Sequence, residues 1–280
     1  MAAIALALAS SVSWGVGDFL GGLKSRALPL LNVLVASQVT GLVLVGIYVV
    51  VRGESAPGDA FVVFAALAAL AGVTGLAAFY RGLAVGNMSV VAPISACSAV
   101  VPLVVGVATG DRPDGLQSLG LGLALVGVVL ASREEIAGEV GIRRTARGAG
   151  LAMVSALGFG FFFLAFDRAS DSDVAWAMLV NRATGVTLLA LAAAVVRPPL
   201  AVGRKDVPLL VAIGAFDVGA NAMFGLAATK GLVSLVSVVG SLYPLTTVAL
   251  AAVVLQERPH RLAQVGVATA LLGVGLIAAG

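Results

Sequence analysis

The sequence predicts an all-α integral membrane protein of about ten transmembrane helices, arranged as two inverted five-helix repeats. Three observations carry that prediction. Hydrophobic residues fill 60% of the 280 positions and charged residues only 11%, for a mean hydropathy of +1.09, whereas a soluble domain carries about a quarter charged residues. The apolar runs are long and do not alternate, so their backbone groups are satisfied within helices rather than between strands of a barrel. The runs also form two sets of five whose landmarks recur in the same order.

At roughly 20 residues per bilayer crossing, the first set lies at Ala3–Leu23, Leu30–Val51, Phe61–Val85, Val90–Thr109 and Leu116–Ser132. No basic segment precedes the first run, and it is longer than a signal-peptide core, so it reads as a retained span. The most polar stretch of the chain follows, Arg133–Arg147, with Glu134, Glu135, Glu139, Arg143 and Arg144 around two glycines. It is the expected linker between a first repeat over 3–132 and a second over 148–280. The second set lies at Ala149–Phe166, Val174–Val196, Val207–Ala228, Leu232–Leu255 and Leu262–Ala279.

The halves match in sequence as well as in length. Ser98-Ala-Val-Val-Pro102-Leu followed by Gly110-Asp-Arg-Pro113 echoes Gly240-Ser-Leu-Tyr-Pro244-Leu followed by Gln256-Glu-Arg-Pro259. Gly120 and Gly127 then correspond to Gly266 and Gly273, Gln38-Val-Thr-Gly41 to Arg182-Ala-Thr-Gly185, and Trp14-Gly15 to Phe159-Gly160. The connection after Pro102 is about one helical turn shorter than that after Pro244. An odd number of spans per half makes the second half enter the membrane from the opposite side, which is an inverted repeat.

Charge and cysteine usage exclude other classes. The net charge is +3 and the pI about 9.4, but the basic residues are scattered singly between apolar runs, so no nucleic-acid partner is expected. The single cysteine, Cys97, permits neither a disulfide framework nor a cysteine metal cluster. No GxxxxGK[ST] phosphate loop or HExxH pair occurs, and neither a cofactor, a metal nor a catalytic residue is expected. Asn87-Met-Ser89 fits a glycosylation triplet but falls in a very short turn, and His260 reads as a surface residue after Arg258-Pro259.

The span opening Ser13-Trp-Gly-Val-Gly-Asp18-Phe and the block running from Gly231-Leu-Val-Ser through Ser241-Leu-Tyr-Pro-Leu to Leu255-Gln-Glu-Arg258 resemble the EamA-type members of the drug/metabolite transporter superfamily. Val90-Val-Ala-Pro93 through Pro102 to Asp111-Arg112 repeats the second pattern. Asp111 stands where the second half has Glu257, a mild departure. The resemblance implies helices one, three, four, six, eight and nine around a central cavity, in a multi-pass protein of the plasma or bacterial inner membrane. It implies a secondary transporter working by alternating access on a small solute, amino-acid-like or otherwise zwitterionic or anionic, and no particular substrate. A proton gradient or facilitated diffusion would drive it. The competing functions are a flippase for lipids or lipid-linked substrates, which needs a groove open to lipid, and a membrane-embedded enzyme, which needs clustered acids or histidines that the chain lacks. Basic residues such as Arg143, Arg144, Arg204 and Lys205 place both termini outside by the positive-inside rule, whereas the resemblance implies cytoplasmic termini.

Several residues carry the expected chemistry, each with a plainer reading beside it. Asp217, mid-span, is a substrate- or proton-binding carboxylate or half of a structural ion pair. Arg182 is its candidate partner, or a fork for a substrate carboxylate or phosphate. Gln38 is the repeat-mate of Arg182, and Asn221 extends the polar stripe of Asp217 by one turn. Trp14 lines the cavity under the resemblance, while Asp18, late in its span, reads more naturally as an end-of-helix residue near headgroups. Phe79, Tyr80, Phe159, Phe163 and Tyr243 are cavity walls or packing and lipid-facing aromatics. Pro93, Pro102 and Pro244 interrupt the fourth and ninth spans, as gating bends or packing kinks. The pairs Gly17/Gly21 and Gly106/Gly110 allow close helix approach, within the chain or across a homodimer.

Overall fold

The computed structural model describes residues 1–25, 27–85, 91, 94–131, 140–199, 202–254 and 261–280. Pro93, the triplet at 87–89, the acids at 134, 135 and 139, and the turn at 256–260 with His260 lie outside these residues. Among the described residues the chain forms ten helices, once two interrupted ones are counted whole. They are α1 (Ala2–Ser25), α2 (Leu30–Arg52), α3 (Ala60–Val85), α4 (Ile94–Thr109), α5 (Gly115–Ala131), α6 (Val140–Ser170), α7 (Val174–Val196), α8 (Val207–Ala228), α9 and α10 (Arg261–Ala279). Helix α9 comprises two arms, α9a (Val233–Gly240) and α9b (Tyr243–Val254). Helix α6 begins at Val140, inside the stretch expected to be linker, although its apolar portion is Gly150–Ser170.

Local chemistry sets the ends and the breaks. Asp173 caps α7 by accepting from the Trp176 N–H at 2.9 Å, and Pro208 opens α8 where a missing N–H costs nothing. Helix α2 ends on Gly53 at φ 68° and α7 on Arg197 at φ 48°, both left-handed, with each N–H closing the last turn. The interruptions precede the two repeat-matched prolines. A 3-10 turn over Cys97–Ala99 comes just before Pro102, and the turn at Ser241-Leu242 just before Pro244, because each proline removes the N–H that would have continued the helix.

The outward surface is apolar. Val50, Val51 and Val195 are 79%, 80% and 83% exposed, an arrangement stable only where lipid is the solvent. Six helices, α1, α2, α3, α6, α7 and α8, are long and apolar enough to cross a membrane, and the shorter four are α4, α5, α9 and α10. The chain is therefore a multi-pass membrane protein.

The inverted repeat is visible in contacts between matched residues. Gln38 of α2 and Arg182 of α7 touch, Arg182 Nη1 donating to Gln38 Oε1 at 2.8 Å. Their matched glycines make room reciprocally: a Cβ on Gly185 would meet Gln38 Oε1 at 3.3 Å, and one on Gly41 would meet Arg182 Cδ at 3.1 Å. Such self-contact places a pseudo-two-fold axis between α2 and α7. The axis also passes between α5 and α10, where Gly120 backs onto the Gly273 carbonyl and Gly127 onto Ala270. Around that axis α1 packs along α8, and its equivalent α6 packs along α3.

Glycines Gly17, Gly21 and Gly106 meet neighbours within the chain, respectively Phe216, Tyr80 and Asp111. Gly110 serves instead as a terminator at φ 127°. The Asp111 carboxylate accepts from the Ser234 N–H at 3.1 Å, joining the turn after α4 to the first turn of α9a.

Candidate functional site

A cavity enclosing about 650 Å³ between side chains, part of it continuous with solvent, lies where the two halves face each other. Helices α1 and α8 form one wall. They pack closely because α1 presents small residues, with Ser13 Oγ donating to the Phe216 carbonyl at 2.6 Å and Ser10 Oγ to the Ala220 carbonyl at 2.8 Å. Trp14 and Asp18 of α1 and Asp217 and Asn221 of α8 then open on the cavity. Gln38 of α2 and Asn181 and Arg182 of α7 border it too, as does Tyr243 at the start of α9b, which packs on α1 at Gly15. The remaining wall is α3 with α6: Ala68, Ala69, Gly72, Val73 and Leu76 leave the room that Phe159, Phe162 and Phe163 border.

Asp217 anchors a polar network that joins α1, α2, α7 and α8. Its Oδ2 lies 2.5 Å from Arg182 Nη1, while Oδ1 accepts from Trp14 Nε1 at 3.2 Å and from Asn221 Nδ2 at 3.1 Å. Arg182 Nη1 donates onward to Gln38. Arg182 is 3% exposed, whereas the Asp217 side chain is 24% exposed, so the cation is enclosed and the acid faces the cavity. The Arg182 Nε, buried against Gly41, has no hydrogen-bond partner. The guanidinium is thus engaged through one nitrogen rather than as a two-pronged fork.

Trp14, Gln38, Phe159, Arg182, Asp217, Asn221 and Tyr243 all border this one cavity. Tyr80 does not: it is 5% exposed and stands behind α1, its hydroxyl in the space that Gly21 leaves and 3.4 Å from Asp18 Oδ1. Phe79 is packed between Tyr80, Phe159 and Tyr243, with ring centroids 5.9, 6.0 and 6.4 Å away. Pro102 and Pro244 sit just after the breaks in α4 and α9.

Two expectations change. The described part of α4 supplies no lining residue, its 3-10 turn packing behind α6, where Gly160 admits the Ser98 carbonyl and Val101, while positions 90, 92 and 93 of the expected fourth span lie outside the described residues. Helices α2 and α7 line the cavity as well, through the Gln38–Arg182 contact at the pseudo-two-fold. Asp18 is a cavity residue rather than an end-of-helix one, because α1 continues to Ser25 and carries it on the face of Trp14.

Sequence reasoning also passed over Asn181 and Phe162. An asparagine beside Arg182 inside an apolar run was a usable signal, and its Nδ2 donates to the Ala65 carbonyl at 3.3 Å, tying α7 to α3. Phe162 had none, as one of three successive phenylalanines.

Residues 1–133 and again 146–279 match the EamA-like transporter family. A comparison with curated proteins finds no match. A protein of known crystal structure has the same fold, at 17% identity and a TM-score of 0.82 over 98% of this chain and 95% of that one.

Proposed function

We propose a substrate class and a route for this chain, which belongs to the EamA-like transporter family and is a membrane transporter of the drug/metabolite superfamily: it carries a small amphipathic metabolite, amino-acid-like or similarly charged, across the plasma or bacterial inner membrane by alternating access. The observation that carries the reading is the Arg182–Asp217 pair, enclosed within membrane-spanning helices yet bordering a cavity whose facing wall is phenylalanine. Ionisable groups at such depth are expensive, and a cavity serving a charged solute is a reason to keep them. Asp217 and Arg182 form the charged floor of the site, against which the polar end of the solute rests, with Trp14, Gln38 and Asn221 setting their geometry. Phe159 and Tyr243 contact its apolar body, and Tyr80 supports α1 from behind.

Movement is assigned to the broken helices. The N–H groups that Pro102 and Pro244 lack weaken the helix one turn earlier, so the segments on either side of each break in α4 and α9 can tilt against each other, and Pro93 belongs to the same proposal by its place in the fourth span. The inverted halves then exchange roles to open the cavity first to one side and then to the other.

The test is counterflow of labelled amino acids into proteoliposomes, with and without a proton gradient, for wild type, Asp217→Asn and Arg182→Ala. Wild type should accumulate label transiently, and each variant should lose at least tenfold of the rate. Absence of flux for every solute, with and without the gradient, would overturn the proposal.

A further inference from the structure

The charges that border the cavity do not balance. One cation, Arg182, and two acids, Asp18 and Asp217, line it. Arg182 is taken by Asp217 at 2.5 Å, and the nearest lysine along α1, Lys24, is taken by Asp206 at 2.6 Å. Among the described residues no cation pairs with Asp18. Its side-chain contact is the Tyr80 hydroxyl at 3.4 Å, a long hydrogen bond to a neutral donor. An ionised carboxylate so placed is poorly compensated, and a cation entering the cavity would relieve it.

A second observation points to the same spot. Tyr243 is 5% exposed and borders the cavity, yet its hydroxyl oxygen is buried with no hydrogen-bond partner among the described residues. Tyr243 and Tyr80, whose hydroxyl meets Asp18, pack on the same ring, Phe79, at centroid distances of 6.4 and 5.9 Å. One carboxylate and a free phenol oxygen are thus two acceptors on the cavity wall. A primary ammonium, with three N–H donors and no acceptor, matches that set, and Trp14 and Phe159, which border the same cavity, are the side-chain type that attracts cations.

We propose that Asp18, with the Tyr243 hydroxyl, is the subsite for the ammonium group of the transported solute. The inference rests on the transport reading above and narrows it: the solute carries an amine beside its apolar body, and a purely anionic solute is a poor fit. The Arg182–Asp217 pair remains intact as the floor of the site, and the ammonium sits one turn of α1 away from it, toward Tyr80.

Binding can be read directly from Trp14, which borders the cavity, once the other tryptophan is removed with Trp176→Phe. The probes are phenethylamine, which has the amine alone, and 3-phenylpropionate, which has the carboxylate alone. In the Trp176→Phe protein phenethylamine should change Trp14 emission saturably, and adding Asp18→Asn should raise its Kd at least tenfold. Asp18→Glu should keep Kd within a few-fold, and Tyr243→Phe should raise it a few-fold. The Kd for 3-phenylpropionate should stay the same or fall in Asp18→Asn. Phenethylamine binding unchanged by Asp18→Asn, or equal losses for both probes, would overturn the proposal. A parent protein that binds only 3-phenylpropionate, or neither probe while counterflow persists, would overturn it while sparing the transport reading.

Discussion

The two long walls of the cavity are equivalents under the pseudo-two-fold, yet they are built from opposite chemistry. Where α1 has Trp14 and Asp18, α6 has Phe159 and Phe163 at the matching positions, and all four border the cavity. Helix α1 is held to α8 by polar contacts: two serine hydroxyls on backbone carbonyls and the Trp14 indole on Asp217. Helix α6 is held to α3 by close approach, with Gly158 against Gly75 and Ala71, and Gly72 and Gly75 beneath Phe162 and Phe159. Lipid supplies no hydrophobic force between helices, so interhelical hydrogen bonds and small-residue packing are the two available devices. This chain uses one for each wall. The result is a symmetric frame around an asymmetric cavity, charged on one side and aromatic on the other.

The charged wall is the more sensitive of the two to substitution. Asp217→Ala leaves Arg182 charged and enclosed, so it should cost about 3–5 kcal/mol of stability in a denaturant series on the detergent-solubilised protein. The double variant Arg182→Met, Asp217→Leu should recover most of that stability and still show no flux. Recovery of flux as well would make the pair purely structural.

The aromatic wall should fail by crowding. A Cβ on Gly158 would lie 2.7 Å from the Gly75 Cα and 2.8 Å from the Ala71 carbonyl, both backbone atoms that cannot turn aside. Gly158→Ala should therefore cost about 1–3 kcal/mol, whereas Gly122→Ala, with nothing within 4 Å, should be close to neutral in the same series. Equal effects would mean that α3 and α6 are not held by close approach.

The smallest effect lies at the end of the charged wall, where Lys24 of α1 meets Asp206 before α8. The hydrogen bond from Lys24, and next that from the Gly203 N–H, hold the Asp206 carboxyl below its ordinary range. A carboxyl whose pKa is depressed by folding stabilises the fold above the unfolded-state value of about 3.9, and that contribution fades as pH falls through the folded value. Asp206→Asn should melt slightly below wild type at pH 7, and the gap should close as both are acidified below about pH 4. A gap independent of pH would contradict the ion pair as its source.

Much of the frame was legible in the sequence because lipid makes spanning segments uniform. Matching Gln38 to Arg182 in the sequence even located the pair that touches at the pseudo-two-fold. What could not be read is which way a residue faces. Neighbouring Phe161, Phe162 and Phe163 are 54%, 8% and 3% exposed, and no hydropathy pattern separates them, because the lipid outside is as apolar as the packed interior. Asp18 was obscured for a different reason: the span's end, set only by where apolar residues stop, put it near the headgroups, while the helix runs on to Ser25.

The cavity has a charged wall from α1, α2, α7 and α8 and an aromatic wall from α3 and α6. The most direct measurement is an experimental structure of the protein with a bound amino acid or phenethylamine. Solute density should lie between α1/α8 and α3/α6, its ammonium within hydrogen-bonding reach of the Asp18 carboxylate and its apolar part against Phe159 and Phe162. Density on the lipid-facing surface, or between α5 and α10, would contradict it.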